Sequence, residues 1–164
     1  MIQRPEWLPP MINVNGDFNT VIRRLYDIYE RDFKHGAVMF GRNPVICNQR
    51  VLPGEQYEEG FWHLVTRTDQ KTKDRLFDPR RAERLPWCGA ILSNANESEI
   101  KLWVYREGKG RLRTYAWLEQ LDYVVIVEQR PTARGNTAFL ITAYHVDGPS
   151  VRRSLQRKYD QREP

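Results

Sequence analysis

Residues 100–116, which read IKLWVYREGKGRLRTYA, show the clearest structural pattern in the sequence. Ile100, Leu102 and Val104 alternate with Lys101, Trp103 and Tyr105, and the same period of two returns after Gly108-Lys109-Gly110. Alternation of this kind on both sides of a glycine-rich turn is typical of a β-hairpin. The segment therefore predicts two antiparallel strands.

Two more strands are expected after this hairpin. Residues 123–127 form a continuous β-branched run that is typical of a buried central strand, and residues 139–146 form a fourth strand. Successive side chains on a strand point to opposite faces, so Thr142 and Tyr144 are expected together. The residues expected on the opposite, dry face are Phe139, Ile141, Ala143 and a structural His145. If Arg111, Arg113 and Tyr115 share the face of Thr142, that face is polar and basic.

Helices are expected at both ends of this antiparallel meander. Apolar residues recur at helical spacing from Phe18 to Phe33, with Asp17 as the N-cap and Gly36 as the stop. Residues 150–159 form a short basic helix, and residues 1–16 an irregular arm. A short hairpin is expected from residues 37–40 and 45–47. Residues 61–90 are mixed: 61–65 fit a strand or a buried helical turn, and 80–85 have helical composition ended by Pro86.

These elements predict a single α+β domain over residues 1–164. It consists of an N-terminal helix, a four-stranded antiparallel β-meander and a C-terminal helix, with the helices on one sheet face.

Composition narrows the class of protein further. The chain has 164 residues and a net charge of +5, and its positive excess lies in residues 61–164. Its apolar runs are much shorter than a membrane span, and Cys47, Cys88 and three scattered histidines suffice for neither a disulfide framework nor a zinc site. We expect a cytoplasmic protein without metal, cofactor or membrane segment. Its basic residues lie among aromatic ones, which suits single-stranded nucleic acid as well as an ordinary solvated surface.

The candidate catalytic groups are one histidine, several arginines and strand hydroxyls. Common motifs of nucleotide-binding, serine hydrolase and zinc enzymes are missing from the sequence. A histidine base, cationic groups and the 2′-hydroxyl of RNA suffice for cleavage without a metal. His63 is the leading general acid/base, although it could equally be a core residue packed among Phe61, Trp62 and Leu64. The candidate phosphate contacts in the same region are Arg67, Arg75, Arg80, Arg81 and Arg84.

Four blocks of sequence occur in an order that carries a family resemblance. They are GFWHLVTR at residues 60–67, RRAERLPW at 80–87, LDYVVIV at 121–127 and LITAY at 140–144. In this order they resemble the phage- and plasmid-associated branch of the barnase/EndoU/colicin/RelE (BECR) nuclease superfamily, over about residues 18–160.

The resemblance implies a helix-plus-antiparallel-sheet fold and a metal-independent endoribonuclease that leaves a 2′,3′-cyclic phosphate. It implies His63 as general acid/base, Arg84 as stabiliser of the phosphate charge with Arg67 as a lesser candidate, and Thr142 and Tyr144 as groups that orient or protonate the phosphate. It also implies a toxin or effector that acts on tRNA or another structured RNA in a bacterial or target-cell cytoplasm. An acidic antitoxin or immunity protein would restrain it.

The basic surface predicts further contacts to nucleic acid, and two other functions stay open. The predicted contacts are Arg67, Arg75, Arg80, Arg81, Arg111, Arg113 and Trp87, the last as a platform for stacking a base. A non-catalytic nucleic-acid-binding module would use the same face, with His63 buried and binding that weakens steeply with salt. A phage-type interaction domain would have no special affinity for polyanions.

Overall fold

The computed structural model describes residues 2–36 and 38–164, and these form a mixed α+β structure. The helices are α1 (Phe18–Tyr29), α2 (Glu59–Val65), α3 (Pro79–Ala82), α4 (Leu85–Ser93) and α5 (Gly148–Asp160). The strands are β1 (Met39–Phe40), β2 (Asn43–Ile46), β3 (Thr66–Thr68), β4 (Arg75–Phe77), β5 (Ile100–Arg106), β6 (Leu112–Leu118), β7 (Tyr123–Thr132) and β8 (Gly135–His145). None of the helices in this part of the chain is long and apolar enough to cross a membrane.

The main sheet has six strands in the order β1-β2-β8-β7-β6-β5. Strands β5 to β8 form the antiparallel meander that the sequence predicts, and the β5–β6 hairpin turns at Gly108–Gly110. Two further strands extend the sheet, because β2 pairs in parallel with β8 through Val45 and Ile46. The prediction of a four-stranded sheet was therefore wrong, since a local pattern cannot show a pairing between positions 45 and 138.

The short hairpin before residue 48 is confirmed as an antiparallel pair, but its second strand begins at Asn43 and not at Val45. Met39 pairs with Pro44 and Phe40 with Asn43, around a turn at Gly41 and Arg42. Ala37, the first residue of the predicted strand, lies outside the described residues.

The first and last helices are confirmed. The Asp17 side chain caps α1 by accepting a hydrogen bond from the Thr20 amide at 3.0 Å, and a π-helical turn over Glu30–Lys34 extends α1 toward Gly36. Helix α5 begins at Gly148 and covers the expected basic segment.

The mixed segment 61–90 resolves into helix, hairpin and helices. Residues 61–65 belong to helix α2, and β3 and β4 form a separate two-stranded sheet after it. Pro86 was expected to end a helix, but this prediction was wrong. It lies in the first turn of α4, where its missing N–H costs no hydrogen bond.

A β-bulge in β8 changes the predicted alternation of side chains. Ile126 pairs with Thr142 but Val127 pairs with Leu140, so Ile141 is an extra residue. Thr142 and Tyr144 share one face with Tyr115 and Arg113, as predicted. Ile141 also packs on the cluster that contains Tyr144, however, and it does not lie on the opposite face. Phe139 pairs with Glu128, two residues from Ile126, and so it too lies on the face of Thr142.

Helices cover both sheet faces, which corrects the expectation that they lie on one. Helices α1, α2 and α4 bury the first face, where Tyr123, Val125 and Ala143 are fully enclosed. Helix α5 covers part of the second face through Val151, Leu155 and Tyr159. These side chains belong to or pack against a second hydrophobic cluster, called the second cluster below, whose buried members include Trp103, Tyr115, Trp117, Val124 and Ile126. The second face was predicted to be polar, but beneath α5 it holds Trp103, Tyr115 and Trp117.

Candidate active site

Helix α2 places a carboxylate and a histidine on the same side of one turn. Phe61, Leu64 and Val65 point into the core and anchor the helix. Glu59 and His63 are four residues apart, a spacing at which helical side chains are neighbours, and Glu59 Oε2 lies 3.8 Å from His63 Nε2. The His63 side chain is 51% exposed. It is not the packed core residue of the alternative interpretation.

The β3–β4 hairpin places two arginines beside this helix. Its turn is held by Asp69, which accepts hydrogen bonds from the amides of Lys71 and Thr72 at 2.9 and 2.8 Å. Arg75 on β4 forms an ion pair with Glu59, and its guanidinium lies 5.7 Å from the centre of the Trp62 ring. Arg67 on β3 is exposed, and no carboxylate of the described residues lies within ion-pair distance of it.

Helix α3 supplies a third arginine. Asp78 caps this helix and accepts hydrogen bonds from the amides of Arg80 and Arg81. The Arg81 guanidinium turns back and donates to the carbonyls of His63 at 3.1 Å and Thr66 at 2.7 Å. It also lies 5.6 Å from the centre of the Tyr144 ring. Arg81 therefore joins α3 to α2, β3 and β8.

These elements enclose a cleft of about 310 Å³. Its lining residues are His63, Thr66, Arg67, Thr68, Gln70, Arg75, Arg81 and Thr142. The lining holds three arginines, one histidine and three threonines, and no carboxylate. This arrangement favours an anion, and phosphate oxygens accept hydrogen bonds well from guanidinium groups.

The surroundings of His63 keep its ring neutral at neutral pH. Burial lowers the pKa of His63 below its ordinary value, Arg75 and Arg81 act in the same direction, and Glu59 opposes them. A neutral imidazole can accept a proton, which a general base at pH 7 requires.

Two predicted catalytic residues lie outside the cleft lining. Arg84 donates to the Glu83 carboxylate at 2.7 Å and to the Arg80 carbonyl at 2.9 Å, and its guanidinium lies over the Trp87 ring. Tyr144 packs in the second cluster under Arg81, and burial raises the pKa of its hydroxyl. Of the four residues that the resemblance implies, the structure brings His63 and Thr142 into the cleft.

Trp87 is not a stacking platform for a base. It is 4% exposed, it packs edge-on against Tyr123, and its indole N–H donates to the Pro9 carbonyl at 2.8 Å. A ring that is covered on all sides offers no face to a ligand, so this prediction was wrong.

A second depression adjoins the cleft at Arg67. It measures about 570 Å³ and is lined by Arg67, Asp78, Pro79, Arg80, His145 and Asp147. His145 pairs with Tyr123 and so points to the predicted face, but it lies at the open end of that face instead of in a dry core. Burial and the nearby Arg84 and Arg80 lower the pKa of His145.

Arg111 and Arg113 lie on the second sheet face, away from the cleft lining. Both approach the Glu128 carboxylate, at 3.9 and 3.5 Å.

Four residues of the site were not predicted from the sequence: Glu59 beside the cleft, and Thr66, Thr68 and Gln70 in its lining. The Glu59–His63 spacing was visible, but it acquires meaning only once residues 59–65 are known to be helical. Both cysteines are buried. Burial raises the pKa of Cys47 to about 12 and that of Cys88 above its ordinary value, so neither thiol is a ready nucleophile.

Comparisons of the chain with family models, curated proteins and solved structures give no match. The resemblance to BECR nucleases is thus carried by the sequence blocks alone. Within residues 2–36 and 38–164, no group of three or more histidine, cysteine, aspartate or glutamate side chains is placed to hold a metal ion.

Proposed function

We propose that the chain is an endoribonuclease that cleaves RNA by attack of the 2′-hydroxyl on the adjacent phosphate. One observation carries the proposal: a solvent-accessible histidine lies in a cleft that is lined by three arginines and contains no carboxylate. RNA supplies its own nucleophile, so the protein has to provide only a base, charge stabilisation and a proton for the leaving oxygen.

His63 takes the proton from the 2′-hydroxyl in this mechanism. The 2′-oxygen then forms a bond to phosphorus while the bond to the 5′-oxygen breaks, which leaves a 2′,3′-cyclic phosphate and a free 5′-hydroxyl. Glu59, 3.8 Å from the ring, favours the imidazolium that forms on His63.

The arginines stabilise the negative charge that develops on the phosphorane. Arg81 is held by two backbone carbonyls, so its guanidinium is already oriented before substrate binds. Arg67 is exposed and free to move onto a phosphate oxygen. Thr142, the cleft residue from β8, is proposed to orient the phosphate and relay a proton from water to the leaving 5′-oxygen. The hydroxide that remains then takes the proton from the His63 imidazolium, which restores the neutral ring. In this assignment Arg81 takes the role that the resemblance implied for Arg84.

The exposure of His63 favours an enzyme over a non-catalytic binding module. The binding-module alternative requires a buried His63, whereas half of the side chain is accessible.

The finer part of the proposal has three elements. They are membership of the BECR superfamily, action on tRNA or another structured RNA, and control by an acidic antitoxin or immunity protein. The antiparallel meander and the helix packed against it support such a fold. A cleft lined by arginines supports an acidic inhibitor, because opposite charge speeds association and favours the complex.

The test is cleavage of total bacterial RNA in excess EDTA by the wild type, His63→Ala and the control His35→Ala. His35 is an exposed histidine outside the cleft lining. We expect fragments that end in 2′,3′-cyclic phosphate, formed at equal rates by the wild type and His35→Ala. Loss of a general base reduces the rate by about 10²- to 10⁴-fold, so His63→Ala should fall in that range.

Circular dichroism spectra of the three proteins establish that they are folded. A folded wild type that leaves RNA intact, or a His63→Ala protein that cleaves at the wild-type rate, would contradict the proposal.

A further inference from the structure

Three arginines surround a single carboxylate on the second sheet face. Glu128 on β7 lies 2.9 Å from Arg130 Nε, 3.5 Å from Arg113 Nε and 3.9 Å from an Arg111 terminal nitrogen. The Glu128 side chain is 13% exposed, whereas that of Arg111 is 62% exposed. We call these four residues the Glu128 cluster. Its net charge is +2.

The Glu128 cluster has more donors than the protein satisfies. Each guanidinium has five N–H groups, and one carboxylate accepts about four hydrogen bonds. Among the distances to Glu128, only that from Arg130 is a hydrogen bond, and Arg113 Nε is buried without a partner. Three cations that share one anion repel one another, and a second anion would relieve this repulsion.

The cations keep the carboxylate ionised, although its Oε2 atom accepts no hydrogen bond from the described residues. Burial opposes ionisation of Glu128, but Arg130, Arg111 and Arg113 outweigh it and hold its pKa below the ordinary value. Arg130 also stacks on an aromatic ring, since its guanidinium lies 3.8 Å from the centre of the Phe139 ring. Its Nε–H donates to Glu128, and its terminal NH₂ groups make no hydrogen bond within the described residues, so they are left for an external acceptor.

The Glu128 cluster lies on the same sheet face as the cleft residue Thr142. Thr142, a cleft residue, pairs with Ile126, and Glu128 lies two residues farther along β7 on the same face. Two residues of a strand span roughly 7 Å. Helix α5 covers the other part of this face, where Lys158 contacts Tyr115 and Glu107.

We propose that the Glu128 cluster is a second phosphate-binding subsite, which holds the backbone of a single-stranded RNA whose scissile phosphate lies in the His63 cleft. This inference rests on the proposed function and extends it from one phosphate to a path along the strand. A dinucleotide reaches only the cleft, while a longer strand reaches both sites.

The test measures binding of RNA with methylated 2′-hydroxyls, which cannot be cleaved by 2′-attack. The probes are a dinucleotide and an oligomer of about ten nucleotides, within the usual size of a single-strand site. The variant is Arg111→Gln with Arg130→Gln. The control is Arg153→Gln with Arg157→Gln, which removes the same charge from exposed positions on α5.

We expect the Arg111/Arg130 variant to bind the oligomer about tenfold more weakly than the control does. The slope of the logarithm of the binding constant against the logarithm of the salt concentration should be smaller in magnitude by about 1.4, which is about 0.7 for each lost phosphate contact. Dinucleotide binding should be equal in both proteins. Glu128→Gln should bind the oligomer more tightly than the wild type, because it removes the only negative charge of the cluster. Misfolding would weaken binding of the oligomer in the Arg111/Arg130 variant and in Glu128→Gln alike. Tighter binding by Glu128→Gln therefore distinguishes an effect of charge from misfolding.

Equal binding of the oligomer by the Arg111/Arg130 variant and the control would overturn the second subsite while leaving the cleft intact. Equal loss for dinucleotide and oligomer would also overturn it, because the cluster would then act through the cleft. A wild type that neither binds nor cleaves RNA would instead refute the proposed function.

Discussion

The two faces of the six-stranded sheet differ in what covers them and in the charged side chains that they carry. The first face is closed by α1, α2 and α4 over fully buried side chains such as Tyr123 and Val125. The second face has cations among its aromatic rings: Lys158 lies 5.2 Å from the centres of the Tyr105 and Tyr115 rings. Beyond α5 the second face ends in the Glu128 cluster.

We expect the first face to contribute mainly to stability and the second face mainly to binding. Folding buries the apolar side chains of the first face under the helices, which stabilises the protein. Once buried, these side chains are not available to a ligand. A face with surplus N–H donors keeps part of its hydrogen-bonding capacity for a partner. Helix α2 combines both kinds of surface, because its buried side packs in the core of the first sheet face while His63 faces the cleft.

The largest effect on this comparison is expected from truncating the buried side of α2. Leu64 is fully buried in the first core, so Leu64→Ala should lower the free energy of unfolding by about 2–5 kcal/mol. The matched change Leu102→Ala, at an exposed position of β5, should cost roughly 0.5 kcal/mol or less. Urea unfolding followed by circular dichroism measures both. Equal losses would mean that the two positions do not differ in burial.

A smaller loss is expected from adding one methyl group at Gly60. A Cβ there would lie 2.8 Å from Tyr29 Oη and 2.9 Å from the Asn48 carbonyl oxygen, and the backbone atom cannot move aside cheaply. Gly60→Ala should therefore cost about 1–3 kcal/mol. It should also slow RNA cleavage, since it displaces the helix that carries His63.

Gly108→Ala is the control, because open space surrounds that position. A Gly60→Ala protein as stable and active as this control would show that α2 is not tightly seated on the first core.

The smallest effects concern the protonation of His63. Glu59→Gln removes the carboxylate that favours the imidazolium and should lower the pKa of His63, whereas Arg75→Gln removes an opposing cation and should raise it. Each shift should be on the order of one pH unit or less. NMR titration of the three histidines measures it, with the His63 signal identified by its loss in His63→Ala. Shifts of the same sign in both variants would contradict this electrostatic account.

The cleavage rate should follow the same titration. The base form of His63 is neutral, and its pKa lies below the ordinary 6.5. The rate should therefore stay high at neutral pH and fall only as the pH drops through that lower pKa. An acid limb above pH 6.5 would be inconsistent with His63 as the base.

Local patterns predicted the parts of the fold that local contacts determine. The Asp17 cap, the turn at residues 108–110 and the buried run at 123–127 each depend on neighbouring residues. The parallel pairing of β2 with β8 and the bulge at Ile141 depend on distant partners, so no short-range period reveals them.

The candidate site was predicted in part for the same reason. His63 and Thr142 were identified as residue types and meet in the cleft, but the choice among five arginines needed the positions of α3 and β3. Arg81 reaches the backbone of α2 and β3, while Arg84, three residues later, points toward Glu83 and Trp87. Trp87 was misjudged because composition does not distinguish a buried aromatic residue from an exposed one.

The position of β8 after the other cleft elements sets the time at which the cleft can form during synthesis. His63, Arg67, Arg75 and Arg81 all precede Thr142, which follows His63 by 79 positions. At translation rates of about 5–20 residues per second, that interval takes roughly 4–16 s. A ribosome-bound chain therefore contains His63 and the cleft arginines well before the strand that completes the cleft. The proposed nuclease would acquire activity only after β8 has been synthesised, and the ribosome and mRNA that make it would face no active enzyme until then.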